Sequence, residues 1–261
     1  MSFLQTPYGR LAYTDHGGAG TPVLALHGFL LGQKMFDHQV QRLSEFRWIT
    51  VDSFGHGAAD DGCEGFTFWY LARYANEILR VLDVEKAFWA GMSQGGFIGL
   101  RGALAYPESV QGLILISTET RAASPESFQN YYRTSKAWSS SGPSSNLLDQ
   151  IAANLFDGYR EYWGEWQDLW RSLPWQRLDN AAQCVLERDD LTPRLGDISC
   201  PALVVVGEED HDIAPDIQYE LSDKLPGSRA PFVVPGGTHA VNVTHPEAVN
   251  ERIREYIGEN R

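Results

Sequence analysis

The stretch that most narrows what this chain of 261 residues can fold into is Ala87-Phe88-Trp89-Ala90-Gly91-Met92-Ser93-Gln94-Gly95-Gly96. Its first four residues read as a short apolar strand. After it, Phe97, Ile98, Arg101, Leu104 and Ala105 recur at helical spacing as far as Pro107, a natural stop. Ser93 therefore sits where a strand turns sharply into a helix, with Gly91 and Gly95 flanking it as G-x-S-x-G. Such a turn forces its central residue into a strained backbone, and only neighbours without a Cβ let the chain segments pass so closely. The serine is then held out at the end of a sheet. The helix N-terminus behind it supplies free N–H groups and partial positive charge for a developing oxyanion. A plainer alternative is a glycine-rich turn whose serine only caps the helix. The motif is short enough to arise by chance, so its context decides.

That context is an alternation of strands and helices. Phe3-Leu4-Gln5 and Arg10-Leu11-Ala12-Tyr13-Thr14 flank Pro7-Tyr8-Gly9 as an antiparallel hairpin. Val23-Leu24-Ala25-Leu26 is a continuous apolar run, as expected of a strand buried on both faces, and it ends in His27-Gly28-Phe29-Leu30. A helix with Phe36, Val40 and Leu43 on one face precedes the strand Trp48 to Asp52 and the loop Ser53-Phe54-Gly55-His56-Gly57. Thr67 caps a helix with an apolar face of Leu71, Ala75, Ile78 and Leu82. Val110 to Ser117 is a further buried strand. This order predicts a mostly parallel, doubly wound α/β sheet with right-handed crossovers.

From residue 118 to 195 the strand signal disappears. The segment is rich in aromatics: Tyr131, Tyr132, Trp138, Phe156, Tyr159, Tyr162, Trp163, Trp166, Trp170 and Trp175. It reads as a helical insertion over the C-terminal edge of the sheet, with Ser139 to Ser145 as a flexible loop. Most of these aromatics serve the insertion's own core; Trp138, Trp163, Trp166 and Trp170 are the candidates for a substrate wall. The sheet resumes at Ala202 to Val206 and runs into Gly207-Glu208-Glu209-Asp210-His211-Asp212. A helix from Pro215 to Lys224, the strand Phe232-Val233-Val234, the loop Pro235-Gly236-Gly237-Thr238-His239 and a closing helix behind Pro246 complete the chain.

Composition sets outer limits. Hydrophobic residues make up 43% and charged residues 21%, ordinary for a globular protein. A net charge of −13 argues against nucleic acid or an anionic membrane as partner. No apolar run approaches the roughly 18 residues of a membrane span, and the first residues lack the basic and apolar regions of a signal peptide. Three scattered cysteines, Cys63, Cys184 and Cys200, suit free thiols in a reducing cytoplasm. Closely spaced His, Cys and Glu sets are absent, so neither a metal nor another cofactor is expected.

Over nearly its whole length the chain resembles the α/β-hydrolase family. His27-Gly28-Phe29 is similar to the family's oxyanion loop, and Asp52-Ser53-Phe54-Gly55-His56-Gly57 to its D-x-x-G-H-G turn. Gly91-Met92-Ser93-Gln94-Gly95 resembles its nucleophile elbow, Gly207 to Asp210 its acid loop and Gly237-Thr238-His239 its histidine loop, in the family's order Ser, Asp, His. The family carries its cap where this chain has its insertion. The resemblance implies a core of 1–117 and 196–261 and a cap of 118–195. Two departures narrow the chemistry. Haloalkane dehalogenases and epoxide hydrolases carry aspartate at the position of Ser93, and cofactor-free perhydrolases and many enol-lactonases carry methionine at the position of Gln94. A third departure touches the acid: Pro215 stands one place further on than in a common G-x-x-D-x-x-x-P pattern.

The chemistry can be stated without the family. A serine hydroxyl needs a base with a pKa near ~7, and the histidine needs a carboxylate to fix its tautomer. His239 is the candidate base, with an unperturbed titration near ~6.5 as the starting expectation. The acid is Asp210, three residues after Gly207, or Asp212, which keeps the usual short distance to Pro215. One oxyanion donor is the backbone N–H of Gln94, by the geometry of the turn; the resemblance supplies that of Phe29 as the other. His27 and His56 read as structural, bonding loop backbone, and His245 as a cap of the last helix. The reading is a serine hydrolase cleaving a small, apolar carboxylic ester or lactone through an acyl-enzyme. The alternatives are an enol-lactonase or carbon–carbon bond hydrolase on the same triad, or a hydrolase-fold protein that binds a small ligand without turnover.

Overall fold

The computed structural model describes residues 1–173 and 175–261, with the side chains of Ser127, Asn130, Tyr131 and Trp175 outside the described set. The chain opens with the antiparallel hairpin β1 (Ser2–Thr6) and β2 (Gly9–Asp15), followed by β3 (Pro22–Leu26). A 3₁₀ turn, Gln33–Phe36, leads into α1 (Asp37–Arg42), then β4 (Arg47–Asp52), α2 (Phe68–Val81), β5 (Ala87–Met92), α3 (Gln94–Ala105) and β6 (Val110–Ile116). Four helices follow: α4 (Pro125–Ser141), α5 (Ser145–Phe156), α6 (Trp163–Ser172) and α7 (Asp179–Leu186). β7 (Ala202–Gly207), α8 (Pro215–Lys224), β8 (Phe232–Val234), α9 (Val241–Thr244) and α10 (Pro246–Glu259) close the chain.

The eight strands form one sheet in the order β1-β2-β4-β3-β5-β6-β7-β8. Pairings β1/β2 and β2/β4 are antiparallel and the others parallel. The apolar runs in β3, β5, β6 and β7 alternate between two cores. Leu24, Trp89, Leu113 and Val204 face one side, where Ile78 and Leu79 of α2 and Leu100 of α3 pack. Val23, Phe88, Ile114 and Val205 face the other, against Val249 and Ile253 of α10. Both of their faces being covered, these four strands need no polar alternation of the kind a half-exposed sheet shows. After β3 the chain goes to one side, to β4, and then returns across β3 to place β5 on its other side. The strand order reverses there, and the crevice outside the C-terminal ends of β3 and β5 is where such sheets place ligands.

The serine-rich stretch Ser139 to Ser145 differs from the expected flexible loop. α4 continues through Ser141 and stops at Gly142, whose φ of +80° only glycine adopts freely, and Pro143. Ser144 then caps α5, its Oγ accepting from the Leu147 N–H at 3.2 Å.

Candidate active site

Ser93 has φ 51° and ψ −115°, the strained turn expected of the motif. A Cβ on Gly91 would lie 2.3 Å from the Gly95 backbone, and one on Gly95 would lie 1.9 Å from the Leu26 carbonyl. The two glycines thus let α3 start directly against the ends of β5 and β3. Neighbouring strands hold the serine's backbone: its N–H donates to the Ile116 carbonyl at 2.9 Å, and Thr118 Oγ1 donates to the Ser93 carbonyl at 2.8 Å.

His239 follows β8 and is 3% exposed. Its Nδ1 lies 2.9 and 3.0 Å from the two oxygens of Asp210, which follows β7. The Asp210 carboxylate also accepts the backbone N–H groups of Asp212 and Ile213, both at 3.0 Å, and Nε2 of Gln218 at 2.9 Å. So many donors leave it fixed and ionised. Burial alone would raise its pKa, but the His239 charge and these hydrogen bonds outweigh that and hold it below the ordinary carboxylate range. Burial likewise pushes His239 down, and the carboxylates of Asp210 and Asp212 overcome the effect, holding the imidazole at about 9 rather than near its unperturbed value. The carboxylate on Nδ1 is therefore that of Asp210. Asp212 lies on the other side of the ring, its Oδ2 3.8 Å from Nε2. Burial raises the Asp212 carboxyl, with the His239 charge opposing.

The loop after β3 is pinned by the two histidines read as structural. His27 donates from Nδ1 to the Gly28 carbonyl at 2.7 Å and accepts the Ser53 N–H on Nε2 at 2.9 Å. His56 accepts the Leu30 N–H on Nε2 at 3.0 Å and donates from Nδ1 to the Phe54 carbonyl at 2.9 Å. Each ring needs one bare nitrogen for this, and burial lowers both pKa values, keeping them neutral. Asp52 ties the same loops together, accepting from Gln33 N–H at 2.8 Å and Ala58 N–H at 3.0 Å. His245 occupies the N-cap position of α10 as expected, but its ring makes no cap bond and instead bonds Thr244 Oγ1 and the Tyr159 hydroxyl, both at 3.0 Å.

Ser93, His239, Phe29 and Asp212 line a cavity of about 360 Å³ beneath α4 and α5, and they also border a second space of about 60 Å³ beside Gln94, Glu119 and Arg188. Of the four tryptophans expected at the site, Trp138 lines the larger cavity. Trp166 and Trp170 are buried elsewhere: Trp166 stacks on Phe156, and Trp170 donates from Nε1 to the Leu30 carbonyl at 2.7 Å. Trp163 lies outside the cavity wall, its indole N–H on the Asp157 carbonyl and Arg160 over its ring. These three pack the helices together instead of facing the site. The sequence reading missed the polar part of the wall, Thr134, Ser135, Gln150 and Asn154. A signal was present: Leu147, Gln150, Ile151 and Asn154 stand at i, i+3, i+4 and i+7, so one face of α5 mixes amides with leucine and isoleucine. It also missed the buried ion pair of Arg188 and Glu119 at 2.8 Å, whose partners stand 69 residues apart.

Among the described residues, no group of three or more His, Cys, Asp or Glu side chains is arranged to hold a metal ion, and no helix is long and apolar enough to cross a membrane. The family profile of the alpha/beta hydrolase fold matches residues 21–246. The pimeloyl-[acyl-carrier protein] methyl ester esterase of Edwardsiella ictaluri is 28% identical over 252 residues, 88% of this chain and 91% of that protein. A thermophilic esterase from Thermogutta terrifontis superposes with a TM-score of 0.90 at 28% identity, over 99% of each chain. The enol-lactonase of Burkholderia xenovorans, at 21% identity, shares the fold with a TM-score of 0.89 over 98% of this chain and 100% of its own. With a profile match across most of its length and the fold's strand order in full, this chain belongs to the α/β-hydrolase fold family and is a hydrolase.

Proposed function

We propose that the protein hydrolyses a small, neutral carboxylic ester or lactone through an acyl-enzyme on Ser93. The observation that carries this reading is the buried Asp210–His239 pair, whose histidine lines the same cavity as Ser93. Ser93 Oγ attacks the carbonyl carbon and its proton passes to His239 Nε2. Nδ1–H stays with Asp210, which fixes the tautomer and stabilises the imidazolium. The oxyanion is met by the backbone N–H groups of Gln94 and Phe29. His239 then protonates the departing alkoxide, and water repeats the sequence to release the acid. Ester hydrolysis is also the activity named for the similar enzymes of Edwardsiella ictaluri and Thermogutta terrifontis.

The cavity wall refines the substrate. Leu147, Ile151 and Leu155 offer apolar surface, while Thr134, Gln150 and Asn154 offer hydrogen bonds. A purely apolar acyl chain would leave those amides unpaired on binding, so an acyl or ring group carrying neutral oxygen functions fits better. In this reading, residues 118–195 form the cap over a core of 1–117 and 196–261. A reducing cytoplasm suits the free thiols of Cys63, Cys184 and Cys200.

The test is a fluorophosphonate probe with peptide mapping, paired with the Ser93→Ala variant. Labelling at Ser93 and a fall in kcat on the order of 10⁶ are expected. Turnover by the alanine variant within tenfold of wild type would remove Ser93 from the chemistry.

A further inference from the structure

We propose that Asp212 is a positioning residue for His239: a second carboxylate, set against Nε2 by the loop after β7, that determines the pH at which the base becomes free. The proposal rests on His239 being the base.

The placement follows from the loop. Asp210 turns the chain around its own carboxylate, which accepts the N–H groups of Asp212 and Ile213. Beyond it, Ile213 is 8% exposed and its carbonyl is held by Gln218 Nε2 at 2.7 Å, so the start of α8 is anchored too. With both ends fixed, the loop between them carries the Asp212 side chain to the imidazole at the cavity wall. Its Oδ2 is 3.8 Å from Nε2, the nitrogen opposite the one Asp210 occupies. Asp212 borders both the 360 Å³ and the 60 Å³ spaces, so it stands at their junction with Ser93.

The other charged groups around His239 leave Asp212 as its nearest second anion. From the segment after β6 comes Glu119, and from the end of α7 comes Arg188, which pairs with Glu119 at 2.8 Å and offsets its charge. His211, beside Asp212, lines the larger cavity. Among the described residues, the ion-pair contact of Asp212 is with His239. The side chain is about a third exposed, so water screens the pair in part but does not separate it.

An anion at Nε2 stabilises the imidazolium. It therefore delays release of the neutral base as pH rises, and it makes that base stronger once released. Removing it should do both in reverse: activity should appear at lower pH, with a smaller plateau.

The experiment compares kcat/KM from pH 5 to 10.5 for wild type, Asp212→Asn, Asp212→Ser and Asp212→Glu on one neutral ester, with His239 followed in parallel by NMR of its ring protons. Both neutral variants should shift the kinetic and NMR midpoints down by about one unit or more, with plateau rates within roughly tenfold of wild type. Asp212→Glu should stay near the wild-type midpoint. Unchanged midpoints in the two neutral variants would overturn the proposal. So would an unchanged midpoint accompanied by a thousandfold loss of plateau rate, since Asp212 would then act structurally. His239→Gln separates the two readings. Full turnover in that variant overturns the base assignment and this proposal together, whereas an inactive His239→Gln beside an unshifted Asp212→Asn overturns this proposal alone.

Discussion

At the scale of single residues, the site turns on one histidine between two acids. Asp210 holds Nδ1–H with both oxygens, so an amide there preserves shape but favours the wrong tautomer. Asp210→Asn should lose on the order of 10⁴ in kcat. Asp212→Asn should keep a plateau rate within roughly tenfold of wild type, and the reverse outcome in steady-state assays would exchange the two assignments. The pH dependence follows from the same contacts. The His239 pKa is raised to about 9, and only the neutral ring can accept the Ser93 proton. The rate should therefore climb through neutrality and reach half its plateau near about pH 9, not near the ~6.5 of a free imidazole. A pre-steady-state profile already flat at pH 7 would contradict this. The raised pKa also stabilises the fold: the contribution is complete below the unfolded value near ~6.5 and is lost as pH climbs through about 9.

At the scale of elements, α4 and α5 wall the larger cavity, while α6 props the loop after β3. Trp138 of α4 lines the cavity, and its Nε1 is buried without a partner among the described residues. Trp138→Ala should therefore change kcat/KM unequally across a panel of esters and lactones. Trp163→Ala, outside the cavity wall, should leave substrate ranking intact. Equal ranking in both variants would move the wall away from α4. Trp170 acts on the site indirectly, through its bond to the Leu30 carbonyl beside Phe29. The difference between these tryptophans is not visible in their spacing. All four are aromatic residues on amphipathic helices, and each face is chosen by what lies beneath it.

At the scale of the molecule, one tie joins α3, the helix that follows Ser93, to the segment behind α7. Arg101 of α3 is 2% exposed and reaches Asp189 from Nε at 3.2 Å and the Phe97 carbonyl from Nη1 at 2.9 Å. Half of the Asp189 side chain is in water, which moderates the loss when the pair is broken. Arg101→Ala should lower unfolding stability by about 2 kcal/mol, read from the urea midpoint, with kcat unchanged at 25 °C. A fall in kcat at constant stability would show that the tie instead shapes the elbow. Much of this architecture was legible along the chain, because its signals are local. Apolar runs marked the strands buried on both faces, Thr67 and Pro246 marked helix starts, and Gly91 and Gly95 marked a turn that larger residues cannot make. Those signals determined the sheet, the order of its elements and the position of Ser93. Tertiary structure decided what depends on distance through space. It chose Asp210 over Asp212 for Nδ1, since both lie in one loop and only the turn around the first carboxylate orients them. It kept Trp138 at the cavity and withdrew Trp166 and Trp170 from it. It brought Glu119 to Arg188 and a second anion to Nε2. A residue's secondary structure is set largely by its neighbours in sequence, but its partners and its titration are set by charges and surfaces that only the folded chain brings within a few ångströms.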